Sequence, residues 1–190
     1  MPMIKKRVFV GITGASGAIY GVRFVKALKS EGHEVHLVVS KWGAETLKYE
    51  LGIEVDSLIS EVDKFYSEDE LAAGPASGSY PLDAVVIIPC SMKTLAGIAH
   101  GYADNLIARA ADCALKERRK LILVPRETPL NLVHIRNMAS VTEAGAILIP
   151  ASPAFWHRPK SIEELVDSVV DRVLAHLTSP RDTAATWTGE

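Results

Sequence analysis

Arg7-Val-Phe-Val-Gly-Ile-Thr-Gly-Ala-Ser-Gly-Ala-Ile-Tyr-Gly21 decides the fold, because an apolar, β-branched run enters a glycine-rich turn and leaves as a helix. Gly11, Gly14 and Gly17 let the backbone turn tightly and approach a ligand without Cβ interference. The amides that open the following helix carry partial positive charge, so the stretch predicts an anion at the first turn, with the Ser16 hydroxyl beside it. The spacing matches neither GxGxxG nor GxxxxGK[ST], so neither the dinucleotide nor the P-loop fingerprint applies.

Outward from this turn, Arg7 to Thr13, Val35 to Val39, Ala84 to Ile88, Leu121 to Val124 and Ala146 to Ile149 read as strands. Their continuous apolar character implies a sheet covered on both faces. Ala18 to Ser30, Lys41 to Leu51, Asn105 to Glu117, Leu130 to Glu143 and Ser161 to Leu177 have helical spacing. Ser161 followed three residues later by Glu164 is the signature of a capping box. This alternation predicts an α/β fold, a single doubly wound domain (Rossmann-like or flavodoxin-like) with a mostly parallel sheet and helices on both faces. The stretch from Ser67 to Pro81 breaks the pattern and reads as a loop. The expected division is a domain over 1–178 and a polar tail over 179–190 that contains Trp187.

Composition agrees with one domain: 190 residues, 48% hydrophobic, are enough for one substantial core. A net charge of -2 disfavours nucleic acid or an anionic membrane as partner, since both reward a basic surface. Cys90 and Cys113 form no CxxC or Cys/His cluster, and the six histidines are scattered, so neither a disulfide framework nor a metal site is expected. No apolar stretch reaches the roughly 18 to 20 residues of a membrane span, and no signal-peptide core opens the chain. The expectation is a soluble, cytoplasmic protein.

An open α/β sheet binds ligands outside the carboxyl ends of its strands. There the strands lead in turn to Gly14 and Ser16, to Ser40, to Ser91 and Thr94, to Arg126 and Glu127, and to Trp156 and His157. Any one of these suits a cap or a turn, and Ser40 suits a cap best. Together they predict a phosphorylated ligand held by hydroxyls and one Arg, beside an aromatic wall. Arg109 and Lys116, seven apart on one helix face, are candidates for a second anion. Arg118 and Arg119 read as complements to the helix dipole. Lys93 reads either as a further phosphate contact or as an exposed charge, and Arg172 is unremarked on its own.

Seven segments then appear in order: Gly11-Ile-Thr-Gly-Ala-Ser-Gly-Ala18, Pro75-Ala-Ser-Gly-Ser79, Pro89-Cys-Ser-Met-Lys-Thr-Leu95, Asn105-Leu-Ile-Ala-Arg-Ala-Ala-Asp112, Leu115-Lys-Glu-Arg-Arg119, Val124-Pro-Arg-Glu-Thr-Pro129 and Phe155-Trp-His-Arg-Pro159. Together they resemble the UbiX/Pad-type flavin prenyltransferases. The resemblance implies joining a dimethylallyl group from dimethylallyl phosphate to reduced FMN, at N5 and then C6, without a metal. It also implies a homododecamer whose product, prenylated FMN, passes to a UbiD-type decarboxylase. On that resemblance, Gly14, Ala15, Ser16, Ser40, Ser91, Met92, Lys93, Thr94 and Arg126 are the expected FMN site. Arg109, Lys116, Trp156 and Arg172, with Glu127 as proton donor, are the expected prenyl-phosphate site. Glu50 is the expected proton acceptor in ring closure and Ser16 a proton relay near N5. Trp156 and Trp187 would shield an allyl cation.

One departure is that Trp156 stands where many family members have Tyr, which removes a hydroxyl from the phosphate site. Flavin-dependent cysteine decarboxylases share the expected fold, but they carry a PxMN motif and an Asn-rich PASANT-like segment. Here the chain reads Pro125-Arg-Glu-Thr128 and Pro75-Ala-Ser-Gly-Ser79. A flavin carrier subunit is the non-enzymatic alternative, and the cluster of Lys116, Glu127 and Arg172 tells against it.

Overall fold

Parallel pairing organises the chain, seen in a computed structural model that describes residues 5–178. The strands are β1 (Arg7–Ile12), β2 (Glu34–Val39), β3 (Lys64–Tyr66), β4 (Ala84–Cys90), β5 (Lys120–Pro125) and β6 (Ile147–Leu148). They form one sheet in the order β3-β2-β1-β4-β5-β6, with every pairing parallel. The helices are α1 (Ala18–Ser30), α2 (Lys41–Leu51), α3 (Val55–Ile59), α4 (Met92–Ala99), α5 (Leu106–Lys116), α6 (Leu132–Glu143) and α7 (Ile162–Leu177). The expected tail over 179–190, with Trp187, lies outside the described residues.

Period-two alternation divides the core into two layers. Val8, Val10 and Ile12 of β1 face one side and pack with α1, α7, Leu47 of α2 and Leu58 of α3. Phe9, between them in sequence, faces the other side with Leu95 of α4, α5 and Val141 of α6. Burying both faces explains why these strands are apolar at every position, with β4 buried from end to end.

Local chemistry sets the helix ends. Ser40, Ser91, Asn105, Asn131 and Ser161 each accept a backbone N–H in the first turn of their helix. The capping box expected at Ser161 is only half present: Ser161 Oγ accepts the Glu164 N–H at 3.2 Å. The Glu164 carboxylate instead takes the N–H of Lys160, one residue too early, at 2.6 Å. The reciprocal pair forms at Asn131 and His134. Three elements, α3, β3 and α4, are not expected from the sequence, and the 67–81 loop contains a single 3₁₀ turn at Gly74–Ala76.

A buried polar knot ties β2 to β3 and to the 67–81 loop. The His36 ring, fully buried, bonds Glu34 Oε1 through Nε2 at 2.8 Å and the Tyr66 hydroxyl through Nδ1 at 3.1 Å. Arg7 grips the same Glu34 carboxylate at 2.8 and 3.3 Å. Burial pushes the His36 pKa down, against the pull of Glu34, so the folded protein favours the neutral ring. Hydrogen bonds from Arg7 and then His36 hold Glu34 below the usual carboxylate range. A depressed histidine pKa means that the unfolded chain binds the proton more readily, so this stability is lost as pH falls below about 6.5. The Glu34 contribution is lost in the same direction at lower pH. The thermal midpoint should therefore fall between pH 7.5 and 5.5, and fall less in His36→Gln, which cannot take up the proton. Equal slopes in the two proteins would assign the effect elsewhere.

Candidate functional site

The strand order reverses its direction of growth between β1 and β4, so the chain leaves these neighbours toward opposite faces and opens a crevice at their carboxyl ends. Thr13 lies at its floor, 1% exposed. Its hydroxyl donates to the Pro89 carbonyl at 2.8 Å and accepts the Ser91 N–H at 2.8 Å. From sequence alone Thr13 reads simply as the end of a strand. The signal it offered was a hydroxyl closing an otherwise apolar run.

The turn that follows has Gly14 and Ser16 exposed and Ala15 buried. A Cβ on Gly14 would stand 2.5 Å from the Trp42 Cβ, so the close approach of α2 requires glycine there. Gly17 begins α1 at φ 102°, a left-handed conformation that also favours glycine, and it has no side chain to cap the helix. The cap comes from Glu50 in the last turn of α2. Its carboxylate accepts the Gly17 N–H at 3.1 and 2.9 Å and the Ala18 N–H at 2.9 Å. The first-turn amides of α1 thus hold an anion that the protein itself supplies.

Ser40 is a cap, accepting the Gly43 N–H at 3.0 Å, and its own N–H bonds the Ile12 carbonyl at 2.9 Å. As acceptor its oxygen still leaves the hydroxyl proton to donate to a ligand. Ser91 caps α4 by accepting the Thr94 N–H at 3.3 Å, and donates its proton to Thr94 Oγ1 at 3.1 Å. Thr94 is then the outward donor of that pair. Met92 and Lys93 form the first turn of α4, and the Lys93 ammonium is 76% exposed, 3.6 Å from Asp104. Arg126 and Glu127 follow β5 and are exposed. The Tyr20 phenol, which burial pushes up in pKa, is pulled down by the Arg126 charge, which therefore lies near the start of α1. Among the described residues, Arg126 has no hydrogen-bond or ion-pair partner. The Glu127 carboxylate accepts its neighbour's amide, the Thr128 N–H, at 2.9 Å.

Arg109 and Lys116 share a face of α5, as their spacing predicts, and both meet the Gly74–Tyr80 stretch. Arg109 Nε donates to the Ala76 carbonyl at 3.0 Å, and its Nη1 pairs with Asp112 at 2.7 Å. Lys116 pairs with Glu117 at 2.5 Å, which raises its pKa, and the tips of both side chains lie over Gly78. Arg119 is more than a complement to the helix dipole: it donates to the carbonyls of Gly78 at 2.6 Å and Tyr80 at 2.7 Å.

These basic groups are spread across the fold. The start of α5 is tied to the carboxyl edge by the Leu106 N–H on the Glu68 carbonyl, and the helix runs back toward the start of β5. Lys116 at its far end is thus roughly 15 Å along the helix from that edge. Arg172 is exposed on α7, across the sheet from α5. Trp156, 44% exposed in the loop before α7, meets the His157 ring edge-on at 5.7 Å. One chain therefore brings Gly14 to Ser16, Ser40, Ser91 to Thr94, Arg126 and Glu127 to one edge, and leaves Arg109 and Lys116 across the sheet from Arg172.

The donors suit a flavin mononucleotide: hydroxyls, amides and one unpaired guanidinium around a crevice at the switch point. Cys90 is fully buried with its pKa pushed up to about 12, and so offers no thiolate nucleophile. No group of three His, Cys, Asp or Glu among the described residues is arranged to hold a metal.

The family profile described as Flavoprotein matches residues 2–175. A probable UbiX-like flavin prenyltransferase of Bacillus subtilis (strain 168) is 47% identical over 185 residues, covering 97% of this chain and 91% of that one. Flavin prenyltransferase UbiX of Escherichia coli (strain K12) is 46% identical over 187 residues, covering 97% and 99%. AnUbiX (PadA1), solved in complex with FMN and dimethylallyl pyrophosphate, superposes with a TM-score of 0.93 at 43% identity, covering 98% of this chain and 100% of that one. A dodecameric FMN-dependent UbiX-like decarboxylase from Escherichia coli O157:H7 gives 0.89 at 43% identity, covering 93% and 98%.

If Glu50 caps α1, Glu50→Ala should cost about 1 kcal/mol in urea unfolding, and Glu50→Gln less, since the amide oxygen still accepts. Unchanged midpoints in both variants would show that the cap contributes nothing.

Proposed function

The chain belongs to the Flavoprotein family and, within it, to the UbiX-like flavin prenyltransferases, and we propose that it joins the dimethylallyl group of dimethylallyl phosphate to reduced FMN, at N5 and then C6. The observation that carries this reading is the convergence of Gly14 to Ser16, Ser40, Ser91 to Thr94 and the unpaired Arg126 on one crevice, in a chain that superposes on a relative solved with FMN and dimethylallyl pyrophosphate. The cysteine-decarboxylase and carrier alternatives have no comparable support: the relatives at 46 to 47% identity are named as prenyltransferases.

Bound reduced flavin supplies the electron-rich N5 and C6. The protein's share is positioning and charge. Arg126 with the Ser40 and Thr94 hydroxyls orients the flavin, and the exposed Ser16 relays protons beside it. Glu50, fixed by its bonds to Gly17 and Ala18, accepts the proton released on ring closure. Breaking an allylic C–O bond leaves an anion and a transient cation. Glu127 protonates the departing phosphate, while Arg109, Lys116 and Arg172 stabilise its charge. The Trp156 face shields the cation.

Because α5 and α7 lie on opposite faces of their own sheet, a site that uses Lys116 and Arg172 together takes them from different copies. This supports a homododecameric assembly like that of the E. coli O157:H7 relative. We further infer that 1–178 acts as one catalytic domain with 179–190 as a tail, that the product goes to a UbiD-type decarboxylase, and that the enzyme works in the cytoplasm. No helix among the described residues is long and apolar enough to cross a membrane.

Anaerobic incubation with reduced FMN and dimethylallyl phosphate should yield a bound flavin heavier by one five-carbon unit in mass spectrometry. Unmodified FMN with both the mono- and the diphosphate would overturn the reading in favour of a carrier or decarboxylase. Lys116→Ala and Arg172→Ala should each be inactive, yet regain activity when co-assembled from a mixture of the two. No regain would place both residues in a site built by one chain.

A further inference from the structure

The geometry points to Thr13 as a positioning residue that fixes the two arms of the flavin site relative to each other; the assignment rests on the flavin reading above. The ladder between β1 and β4 runs from Val8 opposite Ala84 to Gly11 opposite Ile87. Two residues further along β4 stands Pro89, which has no N–H to donate, just where the two strands must part toward opposite faces. A side chain continues the pairing there. The Thr13 N–H bonds the Pro89 carbonyl at 3.2 Å and the Thr13 hydroxyl donates to the same oxygen at 2.8 Å. Its Oγ1 then accepts the Ser91 N–H at 2.8 Å, as a backbone carbonyl would in an uninterrupted ladder.

The consequence is positional. Thr13 precedes Gly14, Ala15 and Ser16 directly, and the amide it accepts belongs to Ser91, whose hydroxyl caps α4 and sets the Thr94 hydroxyl. One fully used hydroxyl, 1% exposed, thereby sets the spacing between the glycine-rich turn and the first turn of α4. Without it the Ser91 N–H lacks its acceptor and the two arms are free to shift apart. With Thr13 buried and its hydroxyl taken up by Pro89 and Ser91, its effect acts through Ser91 and Gly14.

Three variants separate positioning from mere packing. Thr13→Ser keeps the oxygen and loses a methyl group, Thr13→Val keeps the shape and loses the oxygen, and Thr13→Ala loses both. In fluorescence titrations, Thr13→Val should raise the Kd for FMN about tenfold, about 1.4 kcal/mol, while Thr13→Ser stays within about threefold of wild type. If Thr13→Val does not fold, Thr13→Ala takes its place and should be the weaker binder of the Ser and Ala pair. The assignment is overturned if Thr13→Val binds FMN as wild type does, or if Thr13→Ser is impaired as much as Thr13→Ala. Wild-type protein that binds no FMN would instead overturn the flavin reading, and the assignment with it.

Discussion

The pairing of β1 with β4 is the constraint on which everything else depends. It sits at the centre of the sheet, buried from both sides, and it is the place where the winding changes direction. Backbone polar groups cannot be left unpaired in such a place, because no water reaches them. The hydrogen bonds of Thr13 to Pro89 and Ser91 are one response to that requirement, and the Ser40 N–H on the Ile12 carbonyl is another. The crevice follows from the same constraint. Two neighbouring strands whose chains depart to opposite faces must leave a gap at their carboxyl ends, and the loops that bound it carry the candidate site.

Several helices begin around this gap, and each brings unsatisfied amides with it. The structure uses the protein's own groups for part of this demand. Glu50 takes the first amides of α1. Glu68 takes the Lys41 N–H of α2 at 2.7 Å while also accepting the Asn105 amide, 3.3 Å away, at the start of α5. These two carboxylates bind the 67–81 loop and the end of α2 to the site, and they offset part of the positive field of the helix ends. What is left for a ligand is a set of neutral donors with Arg126, a combination suited to a phosphorylated ligand without a strongly basic surface. That is how a chain of net charge -2 can serve a phosphorylated ligand.

Hydrophobic periodicity made the main strands and the long helices legible, with bounds within one or two residues, because each buries a continuous face. It missed β3, a three-residue edge strand with Lys64 exposed, which is too short to show a period. It missed α3 and α4 too, five and eight residues long, which are too short for a helical period to stand out. At the site, Ser40, Ser91 and Arg126 were legible as polar residues where strands end. The capping contact of Glu50 was not, since it spans 33 residues of sequence and depends on how α2 packs on α1. Arg119 reads from sequence only as a charge at a helix end, because its partners are backbone carbonyls, which carry no sequence signal. Family resemblance proposed roles for Glu50 and Arg172 that composition and spacing alone did not.

Burial offers an independent reason to regard the single chain as an incomplete unit. Leu132, Val133 and Ile135 of α6 are 58, 60 and 51% exposed, and Tyr49 of α2 and Phe155 are 82 and 69% exposed. Scattered apolar residues on a surface need no explanation, but three within four positions on one helix form a patch of the kind that marks an interface. The basic groups lead to the same conclusion by a different route. Lys116 and Arg109 are oriented by the 74–80 stretch on one face of the sheet, and Arg172 projects from the other. A lone chain leaves these charges divided, whereas the assembly proposed above would cover the apolar surface and bring the charges together in one step. Assembly and catalysis would then share one origin.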